Sequence, residues 1–185
     1  MSHSFLEFVL PDAPATETLG AALARAYMKG AGADPGGVSV GTGRVAGSAV
    51  IYLHGELGAG KTTCSRSLLR TLGVAGLIRS PTYTLVEAYQ LASVTCVHVD
   101  LYRLAGADAV EELGLRDYLG SDCLLLVEWP EKGGGALPPA DLELTLIYQS
   151  DSRRARLDAR TTSGHRWAEK LAHDTSLAPY VSNLT

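Results

Sequence analysis

The chain has 185 residues, 46% hydrophobic and 19% charged, with a formal net charge of −4. That length and composition suit a single globular domain, 1–185, with a substantial core. They argue against a protein that coats nucleic acid through its overall field while leaving a local basic patch open, and no apolar segment reaches the length of a membrane span.

The first residues carry no basic region followed by an apolar stretch, so a cytoplasmic location is expected. Cys64, Cys96 and Cys123 form no close pair and no metal-ligand spacing, which points to buried thiols in a reducing compartment. Phe5 to Leu10 reads as a strand. Asp12 and Pro14 suit a helix entry, and Leu19, Leu23, Ala26 and Tyr27 recur at helical spacing. From Gly30 to Ser48 the chain turns small and Gly-rich around Asp34-Pro35-Gly36-Gly37, a surface excursion better read as a tolerated insertion than as a recognition loop.

An apolar run, Ala49 to Leu53, leads into Gly55-Glu56-Leu57-Gly58-Ala59-Gly60-Lys61-Thr62-Thr63, which fits G-x-x-x-x-G-K-[ST]. Each fixed position has a physical task. The glycines let successive N–H groups converge on an anionic oxygen, Lys61 reaches the β- and γ-phosphates, and the Thr62 hydroxyl suits a Mg²⁺ shell. A helical pattern from Cys64 to Leu72 follows, so the strand–loop–helix context is complete and nucleoside triphosphate binding is expected.

Gly73 is a plausible helix C-cap, and Ser80-Pro81-Thr82-Tyr83-Thr84 is dense in hydroxyls. Leu85 to Gln90 and Val94 to Val99 read as strands joined at Ala92-Ser93. Ala107 to Leu119 is helical with an interruption near Gly114, and Cys123 to Val127 suits a buried central strand. After Pro138-Pro139, Leu142, Leu144 and Leu146 alternate with polar residues, as do Ala155, Leu157 and Ala159. This predicts an antiparallel hairpin at the sheet edge. A last helix starts near Ser163, and 174–185 is weakly patterned. The expected fold is α/β: a P-loop NTPase-like three-layer α/β/α sandwich with a mixed sheet and a C-terminal antiparallel hairpin.

Hydrolysis needs an acid at the end of a neighbouring strand to hold Mg²⁺ or position water. Asp100 follows Val97-His98-Val99, and Glu128 follows Cys123 to Val127, both at the carboxyl ends where an open α/β sheet places its site. Trp129 either packs in the core or shields water beside the γ-phosphate. Thr82 and Thr84 are turn hydroxyls or sensors of that phosphate. His98 reads as a hydrogen-bonded core residue rather than a catalyst.

GELGAGKTT, SPTYTLVEAY, HVDLYRL, EELGLRDYL and LLLVEWPEK occur in an order and spacing that resemble the bacterial TsaE (YjeE) family, from about Phe5 to about Ala159. That resemblance implies an ATPase required for threonylcarbamoyladenosine modification of tRNA. It implies TsaD, the transferase, and TsaB, its non-catalytic partner, as partners, with tRNA engaged only through the complex. By matching position, Thr62 and Glu128 would be Mg²⁺ ligands, and Asp100, Trp129 and Lys61 would serve the chemistry. Gly55 to Thr63 would cradle the phosphates, Asp12 to Thr16 would border the base, and Arg153 would close its far side. The Gly30–Ser48 excursion exceeds the usual link of the family, and the segment beyond Ala159 has no counterpart in the resemblance.

A GTPase of the usual kind needs an Asn-Lys-x-Asp reader, and Asn183 in the tail is the only asparagine, so that option is excluded. Two alternatives stay open. A small-molecule kinase would need an arginine-bearing lid, whereas Arg79, Arg103 and Arg116 are scattered. A nucleotide-gated binding module would bind without appreciable turnover.

Overall fold

The computed structural model describes residues 5–31, 48–81, 83–104, 106–119 and 122–182. Its strands are β1 (Phe5–Leu10), β2 (Ala49–His54), β3 (Val86–Gln90), β4 (Thr95–Asp100), β5 (Cys123–Glu128), β6 (Leu142–Gln149) and β7 (Ser152–Ala159). The α-helices are α1 (Ala13–Ala31), α2 (Lys61–Thr71), α3 (Ala107–Glu111), α4 (Leu115–Tyr118) and α5 (Thr162–Ala172). Helix α1 runs into the start of the Gly30–Ser48 excursion. Residues 32–47 of that excursion lie outside the described residues, as do Thr82 and Asn183.

The strands form one mixed sheet in the order β1-β7-β6-β2-β5-β4-β3. The apolar run from Cys123 lies between β2 and β4, parallel to both, and all six residues of β5 are buried. Continuous apolarity is what a parallel strand covered on both faces requires. The expected α/β fold with a mixed sheet and a β6–β7 antiparallel hairpin is present.

The hairpin is not the sheet edge, however. β1 pairs antiparallel with β7, from Phe5–Asp158 to Leu10–Arg153, and takes the outer position. Phe8 and Leu10 thereby extend the apolar face that Ala155, Leu157, Leu144 and Leu146 begin. Burying two large side chains outweighs the lack of any local signal for so distant a pairing.

One core lies between that face and α1, α2 and α5, with Leu19, Leu23, Leu68, Leu69 and Leu171 packed on Ile51, Leu53, Leu124 and Leu126. A second core packs Val97, Val99, Leu125 and Val127 against Val110, Leu115, Leu119 and Leu137. The three layers are therefore complete over β2, β5 and β4. Over β6 and β7 the second face is polar and open, with Ile147 and Arg154 exposed.

Helices α1 and α2 touch through Gly20, where a Cβ would lie 2.3 Å from the Cys64 carbonyl oxygen. Behind α1, the Trp167 indole of α5 donates to the Leu23 carbonyl at 2.9 Å and its ring lies 5.3 Å from Tyr27. The weakly patterned tail forms a 3-10 helix, Thr175–Tyr180, capped by Asp174 and anchored by the buried Leu177. Arg25 of α1 grips the Asp174 carboxylate with bonds of 2.8 and 3.1 Å, and Ser182 N–H donates to Glu7 of β1. Polar ties, Leu177 and the partly buried Tyr180 hold this segment, which is why no hydrophobic periodicity announced it.

Candidate functional site

At the end of β2 the chain turns sharply through Gly55, whose φ is 133° and where a Cβ would meet the Leu146 carbonyl oxygen at 2.3 Å. Only glycine serves there. Gly60, also left-handed, sits at the N-cap of α2 and offers no side-chain acceptor to the first-turn N–H groups. An uncapped helix start carrying the positive dipole end suits an anion. Between them Ala59 is buried and closes the turn with a 3.1 Å bond from its N–H to Glu56 O. The segment predicted to cradle phosphate thus joins a central strand to a helix, as its spacing requires.

Lys61 is 5% exposed, and its ammonium donates to Gly55 O at 2.6 Å and Glu56 O at 2.9 Å. It also lies 3.9 Å from the centroid of the Trp129 ring. Burial pulls the Lys61 pKa below the ordinary lysine value, opposed by the negative charges of Glu128, Asp100 and Glu131.

The two strand-end acids are neighbours. β4 and β5 run parallel with Asp100 in register with Glu128, and both side chains are buried. Asp100 accepts a 2.9 Å bond from Tyr102 N–H. Glu128 Oε2 accepts from the Thr62 hydroxyl at 2.9 Å, while Oε1 meets His98 Nε2 at 2.7 Å and the Ser65 hydroxyl at 3.4 Å. Trp129 follows in a left-handed conformation, φ 60°, a strained backbone for a bulky residue. The bend turns its indole toward Lys61 and Tyr102, whose ring centroid is 5.0 Å away.

These groups line an open cleft of about 400 Å³. Of the predicted set, Leu57, Gly58, Gly60, Lys61, Thr62, Thr63, Asp100, Glu128 and Trp129 face it, and Gly55, Glu56 and Ala59 shape its floor. Arg153 reaches the loop from β7: its Nε lies 3.4 Å from where a Gly60 Cβ would be, buried and without a hydrogen-bond partner among the described residues. Asp12 caps α1, its carboxylate accepting from Ala15 N–H at 2.8 Å, and Thr16 of the same segment approaches the Gly60 position. The Thr84 hydroxyl donates to Glu87 rather than lining the cleft, where Ser80 stands instead.

Sequence reasoning did not place Ser80, Tyr102 and Arg103 on the cleft wall, although Ser80 opens the hydroxyl-rich segment and the other two lie just beyond Asp100. Of the scattered arginines, Arg103 is at the cleft with its guanidinium 4.4 Å from the Tyr83 ring centroid, whereas Arg116 donates to the Ala136 carbonyl at 3.2 Å. Cys64 behind the loop has its thiol pushed up to about 12 by burial, so it is inert there.

Among the described residues no three His, Cys, Asp or Glu side chains make a metal cage. The donors at the cleft are instead hard oxygens, a hydroxyl and two carboxylates, which suit Mg²⁺ held jointly with a phosphate. No described helix is long and apolar enough to cross a membrane.

The family model described as threonylcarbamoyl adenosine biosynthesis protein TsaE matches residues 10–156. The tRNA threonylcarbamoyladenosine biosynthesis protein TsaE of Haemophilus influenzae is 48% identical over 115 residues, 62% of this chain and 73% of that protein. Its Bacillus subtilis namesake is 33% identical over 134 residues, 72% of this chain and 82% of that one. The crystal structure of Bacillus subtilis YdiB shares the fold, with a TM-score of 0.70 at 23% identity over 93% of this chain and 97% of its own. The matched span holds every candidate site residue from Asp12 to Arg153. The chain belongs to the TsaE family of threonylcarbamoyl adenosine biosynthesis proteins.

Proposed function

We propose that this chain binds ATP and hydrolyses it with Mg²⁺, and that the cycle drives or resets the TsaD–TsaB transferase in tRNA threonylcarbamoyladenosine modification. The observation that carries this reading is the convergence of Lys61, Thr62, Asp100 and Glu128, from three separate elements, on one cleft. Loop amides and Lys61 hold the triphosphate, the ammonium reaching the terminal phosphates. Thr62 and Glu128 would hold the Mg²⁺ ion, which would supply positive charge to offset that of the phosphates. Asp100 positions the attacking water and accepts its proton, and Trp129 excludes bulk solvent beside Lys61. Arg153 flanks the base side, with Asp12 acting there through the α1 terminus it caps. The partners are TsaD and TsaB, tRNA is met through them, and the setting is the cytoplasm.

Phosphate release from ATP, measured with and without TsaD–TsaB and with Mg²⁺ omitted, tests this. Turnover that depends on Mg²⁺ and rises with the partners is expected. No release in any arm would reduce the chain to a nucleotide-gated module. Release only when a small-molecule acceptor is added would favour a kinase.

A further inference from the structure

Glu128 ends an apolar strand and is 2% exposed, so its carboxylate needs hydrogen-bond donors to remain there. The donors are divided. Oε2 takes the Thr62 hydroxyl at 2.9 Å on the cleft side, while Oε1 takes His98 at 2.7 Å and Ser65 at 3.4 Å on the interior side. His98 is 0% exposed and does not line the cleft. The register explains how it gets there. In β4, His98 lies two residues before Asp100 and shares its face, and Asp100 pairs with Glu128, so the imidazole approaches the carboxylate diagonally from behind. As a carboxylate oxygen Oε1 only accepts, which assigns the hydrogen of this contact to Nε2. The other ring nitrogen, Nδ1, is buried with no partner among the described residues. The imidazole's hydrogen bonding is thus committed to one atom of Glu128.

We infer that His98 is a positioning residue, which pins Oε1 of Glu128 so that Oε2 is presented beside the Thr62 hydroxyl as an oxygen pair for a divalent cation. This rests on the nucleotide–Mg²⁺ reading of the cleft. A buried histidine beside a carboxylate is also what core packing would leave, but packing alone predicts no selective effect on the metal. Because His98 stands outside the cleft, its influence on a cation must pass through Glu128, as partners behind metal ligands generally act.

The test compares His98→Leu, His98→Gln and His98→Asn in the full chain. Leucine fills the volume without a donor, glutamine places an N–H near the Nε2 position, and asparagine is too short to reach Oε1. Calorimetry with ADP, with and without Mg²⁺, is read beside the Mg²⁺ dependence of phosphate release. His98→Leu should raise the Mg²⁺ requirement by roughly tenfold to hundredfold, with metal-free ADP affinity held within about twofold. His98→Gln should recover most of the loss. In a Glu128→Ala background His98→Leu should change Mg²⁺ dependence no further. A His98→Leu protein with wild-type Mg²⁺ dependence overturns the inference alone, and so does parallel loss of metal-free and Mg²⁺-dependent ADP binding. If the leucine variant does not fold, equal Mg²⁺ dependence in the glutamine and asparagine variants overturns it. Wild-type protein indifferent to Mg²⁺ in both measurements overturns the reading of the cleft as well.

Discussion

Thr62 and Glu128 meet at 2.9 Å although one stands in the first turn of α2 and the other ends β5. Local sequence makes neither contact. The parallel pairing of β2 with β5 carries the glycine loop and the acid to the same end of the sheet, with Leu53 opposite Glu128. Two oxygen donors are thereby preset before any ligand is considered, and their loss should be separable from loss of the loop.

Glu128→Ala should therefore lower Mg²⁺-dependent hydrolysis by on the order of tenfold to a hundredfold while leaving metal-free ADP binding nearly intact. Calorimetry and phosphate release distinguish the two. An equal fall in both would count against a ligand role.

The segment Pro81–Leu85 should become more protected from hydrogen exchange with ATP–Mg²⁺ than with ADP. Its end is tethered: Leu85 N–H donates to Pro81 O at 2.7 Å, and Leu85 O accepts from Asp100 N–H at 3.0 Å. Leu85 itself has φ 65°, a strained conformation for leucine, at the joint between this segment and the site. Identical exchange in the two nucleotide states would remove this coupling.

Gly20→Ala sets two effects against each other. Helix propensity favours alanine by about 1 kcal/mol. The new Cβ, however, would lie 2.3 Å from the Cys64 carbonyl oxygen and 3.0 Å from Ser67 Cβ, forcing α1 away from α2. Overpacking of this kind costs about 1–3 kcal/mol, so net destabilisation of on the order of 1 kcal/mol is expected in urea unfolding. A variant as stable as wild type would show that the helices can separate freely.

Asp174 predicts an acid-side loss of stability. The Arg25 hydrogen bonds hold its carboxyl at about 2, below the ordinary value of 3.8. A carboxyl whose folded pKa is depressed binds fewer protons folded than unfolded, so its stabilising effect is complete above pH ~4 and is lost as pH falls toward 2. The stability gap between wild type and Asp174→Asn should narrow across that window. A gap independent of pH there would show that the ion pair is not its source.

The glycine loop was legible because its requirements are local: glycines where the backbone turns left-handed, and a lysine and threonine where the helix begins. Asp100 and Glu128 were legible because each follows an apolar strand run. What escaped depends on register. That His98 addresses Glu128 follows only once β4 and β5 are aligned, although the shared face of His98 and Asp100 was available from their spacing of two. The pairing of β1 with β7 and the docking of the tail on α1 escaped for the same reason, since their partners are remote in the chain.

The outer position of β1 also orders events during synthesis. Phe5 pairs with Asp158 and Leu10 with Arg153, so β1 has no strand to pair with until β7 has been made. Until then Phe8 and Leu10 remain apolar surface on a nascent chain, and truncations that stop before Ser152 should leave β1 unpaired however well the glycine loop has formed.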